Sequence, residues 1–255
     1  MQNSQFHYLE SKKVKLTYLG ELTSNKAILF LGRGNQEKNS KPLRELLDRM
    51  ALSGHLLVWP ESREQSINKF LTKKSEKLLR WLDWVFGQNK SLLKNNLQRF
   101  VKGLALILYP SKWDFFLTWC INSGIASQTK LARQSIKMLG KNKSVSILSH
   151  SAGGIAASNL GDEENLKNII CFGYPFKHPD KEDERYRTIN LEKIRIPFLI
   201  IQGNRDEYGG LGIENQHELS PYIDFIFVDA THEYENLSTN DWIRVSQRIE
   251  LLLEI

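Results

Sequence analysis

The residues with the strongest chemical potential begin in the stretch SVSILSHSAGG, where an apolar run meets Ser149, His150, Ser151, Ala152 and Gly153. This is a small-x-Ser-x-Gly pattern between a strand-like and a helix-like segment. A nucleophilic serine at the tip of a tight strand-to-helix turn needs small neighbours two residues to either side, where backbones nearly touch. The following helix would present its positive end to the site, and the Ala152 amide could donate to a developing oxyanion. The same serines also suit a helix N-cap at Ser149 or Ser151. The motif by itself leaves both roles open.

Two later segments bear on that choice. PFLIIQGNRDEYGG places Asp206 just after an apolar, strand-like run, and IDFIFVDATHEYEN places His232 just after the next one. A serine that attacks a carbonyl needs a base to take its proton and return it to the leaving group. That base needs an acid to hold its tautomer and balance its positive charge. Ser151, Asp206 and His232 supply nucleophile, acid and base from three separate strand ends. Nearby rivals fit less well. Asp229 sits at a strand end and reads as a turn residue, and Glu207 would point elsewhere if Asp206 faces inward. His150 is expected to leave the site in another direction, as packing or surface. His7, His55, His178 and His217 lack partners at metal-ligand spacing and read as structural or solvated.

Such residues must be held by a rigid frame, and the periodicities describe one. AILFL, HLLVW, SVSIL, NIICF, PFLII and IDFIF are short apolar runs, each ending near Gly, Pro, Ser or a charged loop. Runs of this kind suit strands covered on both faces. Between them lie helix-like patterns. Pro42 opens one, with apolar residues recurring every three or four positions as far as Ala51. TKLARQSIKMLG forms another, and a third is expected from Ser151 to about Leu160. NDWIRVSQRIELLLEI closes the chain with Trp242, Val245, Ile249 and Leu252 on one face and Asn240 as its expected cap. Alternating strands and helices predict an α/β fold, a mostly parallel sheet with helices on both faces. In such sheets ligands bind beyond the carboxyl ends of the strands.

The stretch from about 61 to 127 breaks this rhythm. It is expected to be a helical insertion within a single domain spanning 1–255, packed over one end of the sheet, although LALILYP could also be a strand. Four of the six tryptophans, Trp81, Trp84, Trp113 and Trp119, lie in it among lysines. These aromatics could line an apolar cleft, bind nucleic acid, or be ordinary core; helical spacing favours core.

Composition limits the remaining classes. With 255 residues, 41% hydrophobic and 25% charged, the chain can bury a sizeable core. A net charge of +6 is modest, and no recognisable nucleic-acid module accompanies it. Two cysteines, Cys120 and Cys171, show neither disulfide-framework nor zinc spacing. MQNSQFHYLESKK lacks the pattern of a secretory signal, and no apolar run approaches the roughly 20 residues of a membrane span. A cytoplasmic location is the expectation. No NAD fingerprint, P-loop or metal motif suggests a cofactor.

At Ser151, Asp206 and His232 the chain resembles the α/β-hydrolase superfamily, from roughly Ala27 to the C-terminus apart from the insertion. GYPFKHPDKEDERYRTINLEKIRIPFLIIQGNRDEYG looks particularly like the branch related to dienelactone hydrolases, which includes the hydrolase-like domain of a nonspecific-lethal complex subunit. The resemblance implies Ser151 as nucleophile, Asp206 as acid and His232 as base. Many members carry His-Gly where this chain has Leu31-Gly32; the hole uses backbone amides, and by position Arg33 would be its second donor after Ala152. The function expected is a serine hydrolase cleaving an ester, thioester or amide of a small acyl substrate through an acyl-enzyme. The alternative is a non-catalytic protein of the same scaffold that binds partners through the Lys/Trp insertion.

Overall fold

The six apolar runs become six strands of one eight-stranded sheet among the described residues. A computed structural model describes residues 6–11, 14–32, 41–86, 92–109, 124–234 and 237–255. The strands are β1 (His7–Glu10), β2 (Val14–Leu19), β3 (Lys26–Leu31), β4 (Leu56–Ser62), β5 (Ser144–His150), β6 (Leu166–Phe172), β7 (Phe198–Gly203) and β8 (Ile223–Val228). β1 pairs antiparallel with β2, whereas β4/β3, β3/β5, β5/β6, β6/β7 and β7/β8 are parallel.

Strand periodicity sorts the core into two layers, because successive side chains point to opposite faces. Ala27, Leu29, Leu31, Ile147, Ile169 and Ile200 share one cluster with residues of α5 (Ile125–Leu139) and α6 (Ala152–Ser158). Ile28, Phe30, Leu57, Leu148, Leu199 and Ile201 share the other with α1 (Lys41–Leu52) and α7 (Thr239–Leu253). Both faces of the sheet are covered, which is why these strands read as continuous apolar runs rather than alternating ones.

Helix patterning works as expected in α1, where Leu46 and Met50 are fully buried, and in α7, where Val245 and Ile249 are. One expectation about α7 is corrected. Its cap is Ser238, not Asn240: Ser238 has extended backbone and its Oγ accepts from the Asp241 amide at 3.1 Å. Its hydroxyl in turn donates to Asp241 Oδ2 at 3.0 Å, while Asn240 already lies inside the first turn. Cap identity depends on where the backbone turns helical, and the pattern leaves that open by a residue or two.

The chain divides into two compact units, residues 1–60 with 124–255, and Glu61–Ser123. The described part of the second unit is helical: α2 (Arg63–Lys74), α3 (Glu76–Phe86) and α4 (Leu92–Ile107). The LALI stretch therefore continues a helix. Ile67, Leu71 and Val101 are buried within this unit, and Phe70 meets Tyr109 edge-on at 4.9 Å. Trp81 and Trp84, by contrast, are exposed. An ordinary core role does not describe these two; Trp113 and Trp119 lie outside the described residues. Among the described residues, no helix is long and apolar enough to cross a membrane.

Candidate active site

Ser151 stands between β5 and α6 with φ 54° and ψ −127°, one of the few non-glycine residues with positive φ. That conformation costs roughly 1–3 kcal/mol and persists only where the surroundings enforce it. Here the enforcement is visible. The Ser151 amide donates to Phe172 O at 3.0 Å, and its carbonyl accepts from the Gly154 amide at 2.8 Å. Gly153 lets α6 approach the end of β3 closely: a Cβ there would lie 2.6 Å from Leu31 O and 3.0 Å from the Gly32 nitrogen. Both contacts are to backbone, so no rotamer change could relieve them. Gly153→Ala is expected to cost about 3 kcal/mol of stability, at the upper end of overpacking penalties, as read by urea unfolding. Ser149, on the other side of the elbow, is buried and donates to Ile170 O at 2.9 Å. Its small side chain thus serves the sheet and not a helix cap.

The geometry shows which way the Ser151 hydroxyl turns. It occupies the N-cap position of α6 but makes no side-chain capping bond. Its Oγ lies 2.8 Å from His232 Nε2 instead. His232 Nδ1 lies 2.9 Å from Asp206 Oδ2 and 3.1 Å from Oδ1. A carboxylate can only accept, so Nδ1 carries the proton and the Nε2 lone pair faces the serine hydroxyl. The three side chains come from the ends of β5, β7 and β8, brought together by parallel strand pairing.

Burial makes this chain of bonds specific. The Asp206 side chain is fully buried and that of His232 nearly so. A buried carboxylate needs donors, and Asp206 has two besides His232: Gln202 Nε2 at 3.0 Å and the Tyr208 amide at 2.9 Å. Gln202, itself fully buried, also donates to Gly209 O at 2.6 Å and accepts from the Tyr174 amide at 3.0 Å. It ties the β6 exit to the loop carrying the acid. Gln202→Leu leaves the Tyr174 amide and an Asp206 lone pair without these partners. We expect it to cost roughly 2–6 kcal/mol, on the basis of about 1–3 kcal/mol for each of these two buried orphans, measurable by denaturant titration.

Several neighbours of His232 were not expected in this role. The Tyr208 ring lies 4.5 Å from the imidazole, centroid to centroid. His150 does not leave the site: its ring is 5.2 Å from that of His232, and its Nε2–H donates to the His232 carbonyl at 3.1 Å. Tyr234, also at positive φ, anchors the same loop by donating its hydroxyl to Ile201 O at 2.8 Å. Gly173, at φ +59°, leaves room for the imidazole, since a Cβ there would sit 3.1 Å from His232 Nδ1. A polar residue inside a fully apolar strand, as at Gln202, is the one signal in the sequence that could have flagged such a partner.

The rival residues lie elsewhere. Asp229 pairs with Arg205 at 2.9 Å on the surface, and Glu207 is exposed. His55 is buried beside Ser53 Oγ at 2.8 Å; burial and then the nearby Lys26 charge hold its pKa below the ordinary value. His217 stacks on Phe176, and burial lowers its pKa as well. Cys171 is a free buried thiol whose pKa burial pushes up to about 12, which makes it a poor nucleophile. Ala152 is the first residue of α6, directly after Ser151. Arg33, the other expected oxyanion donor, lies outside the described residues. Among the described residues, no group of three or more His, Cys, Asp or Glu side chains could hold a metal ion.

Comparison with known proteins agrees with this architecture. A family model described as an alpha/beta hydrolase domain matches residues 125–249, which include Ser151, Asp206 and His232. An alpha-beta serine hydrolase homologue from Coxiella burnetii superposes with a TM-score of 0.54 at 12% identity, covering 100% of this chain and 97% of its own. A Pyrococcus furiosus esterase gives 0.55 at 12% identity, covering 99% and 91%. A thioesterase domain from the curacin biosynthetic pathway gives 0.54 at 10% identity, covering 98% and 99%. No curated protein sequence matches the chain. The chain is therefore an α/β-hydrolase-fold protein, with an alpha/beta hydrolase domain matched over residues 125–249.

Proposed function

We propose that this protein is a serine hydrolase that cleaves an ester, thioester or amide of a small acyl substrate through an acyl-enzyme. The observation that carries the reading is the bond sequence Ser151 Oγ to His232 Nε2 and His232 Nδ1 to Asp206, formed by a serine whose hydroxyl is not used as a cap. In the first step Ser151 Oγ adds to the substrate carbonyl as its proton passes to His232 Nε2. The imidazolium is balanced by Asp206 and faced by the Tyr208 ring. The Ala152 amide, with that of Arg33 as the second donor the family resemblance implies, would hold the negative oxygen of the tetrahedral intermediate. Collapse breaks the bond to the leaving group, which departs with the proton from His232. Water then repeats the sequence on the acyl-Ser151 ester and restores the enzyme. These steps use protein groups and water alone.

Within the superfamily we place the chain beside the dienelactone-hydrolase-like branch. The Gln202-Gly-x-x-Asp206 pattern supports this, with Gln202 and Asp206 in direct contact at 3.0 Å. A fluorophosphonate probe tests the catalytic reading. The expected result is one covalent adduct, mapped by peptide mass spectrometry to Ser151. Folded protein that stays unlabelled, or is labelled elsewhere, would sink it.

A further inference from the structure

The second unit combines charge and exposed apolar surface in an unusual way. Residues 61–123 hold eleven Lys and Arg against five Asp and Glu, a net charge of +6 that equals the charge of the whole chain. The remaining residues therefore balance to zero. On α3, Trp81 and Trp84 are 54% and 81% exposed, and Leu78 lies exposed on the same side. Lys77 and Arg80 stand four residues before these tryptophans, so helical geometry sets each cation beside an indole; Arg80 also pairs with Glu76 at 3.2 Å. On α4, Phe100, Leu104 and Ile107 are exposed and recur at i, i+4 and i+7, which forms one stripe, and Leu108 just past the helix end is exposed as well. The unit thus exposes large apolar side chains on two neighbouring helices while burying Ile67, Leu71 and Val101 inside.

Clusters of exposed large apolar side chains mark interaction sites, and the charge selects among occupants. A second copy of the chain would bring +6 against +6. A nucleic acid would use the cations and indoles, since bases stack on aromatic rings, but it has no use for a stripe of Leu and Ile. An anionic bilayer uses all three. Its headgroups attract Lys and Arg, indoles sit at the interface, and aliphatic side chains enter the acyl boundary. We propose that α3 and α4 form a peripheral docking surface for anionic lipid membranes, with Trp81, Trp84 and the Phe100–Ile107 stripe entering the interface and Lys77 and its neighbours on the headgroups. This holds independently of whether Ser151 is a nucleophile.

The test uses the full chain and vesicles of phosphatidylcholine, with or without about one third phosphatidylglycerol. Co-sedimentation with the anionic vesicles is expected, accompanied by a blue shift of tryptophan emission. Zwitterionic vesicles should retain much less protein, and added salt should weaken the anionic binding. Trp81→Ser/Trp84→Ser should lower binding roughly tenfold or more, and Lys73→Glu/Lys77→Glu should remove the preference for the anionic lipid. Circular dichroism and the thermal transition report whether each variant is folded; the substituted side chains are exposed, so both signals should match wild type. Folded wild type that ignores anionic vesicles overturns the proposal, as does a folded Trp variant that binds them equally well. So does a surface whose Trp-dependent occupant is single-stranded RNA or a second copy, read by filter binding and light scattering.

Discussion

Ser151→Ala is expected to remove turnover of an activated ester by a factor on the order of 10⁶, the scale seen when a triad nucleophile is deleted. The effect should fall on kcat, because the hydroxyl forms a bond only as the reaction proceeds. The fold should survive. Alanine at φ 54° is no worse placed than serine, and the change removes a single part-buried hydrogen bond, to His232 Nε2, on the scale of about 1 kcal/mol. A p-nitrophenyl acetate assay with a parallel thermal melt checks both halves. Wild-type rates in a folded variant would show that another group performs the chemistry.

Asp206→Asn should cost about 10⁴ in kcat, through the tautomer of a neighbouring ring. With a carboxylate at position 206, His232 must carry its proton on Nδ1, which leaves Nε2 free to accept from Ser151. An amide NH₂ turned to the ring would favour the other tautomer and point N–H at the serine. In either orientation the NH₂ group also opposes a donor that now addresses a carboxylate oxygen, Gln202 Nε2 if it replaces Oδ2 or the Tyr208 amide if it replaces Oδ1. Some loss of stability, roughly 1–3 kcal/mol, should therefore accompany the loss of rate. Denaturant titration separates the two effects. A variant that retains more than a tenth of wild-type kcat would remove Asp206 from the proposed mechanism.

How far the site was legible follows from what each residue depends on. Ser151 stood out because the elbow is local: Ser149, Gly153 and the flanking strand and helix lie within a few positions, and short-range sterics demand small residues there. Asp206 and His232 stood out because each follows a recognisable apolar strand. His150 packs as expected, but its direction was not legible, for the opposite reason. Adjacent residues at an elbow were expected to diverge, yet the β8 exit brings the His232 carbonyl back to within 3.1 Å of His150 Nε2, across 82 positions of chain. Ser238 was missed as a cap because the apolar periodicity of α7 sets its face and not its first residue. For Trp81 and Trp84 helical spacing favours core over a cleft or a nucleic-acid contact, yet both are exposed. That spacing shows only that side chains share a face; whether the face is covered depends on neighbours that periodicity does not identify.

The sequence by itself determined the alternation of buried strands and amphipathic helices, the tight turn at Ser151, and the placement of Ser151, Asp206 and His232 each just after an apolar strand. Each is written in side-chain size and polarity over spans of a few residues. Only the tertiary structure decided that Ser151 turns its hydroxyl to His232 instead of capping α6, and that Gln202 and Tyr208 hold the carboxylate. It alone set His150 beside His232 and left Trp81 and Trp84 exposed. Those outcomes depend on strand order and register, which bring together residues tens of positions apart, and a burial pattern constrains which face a side chain takes but not the partner it meets there.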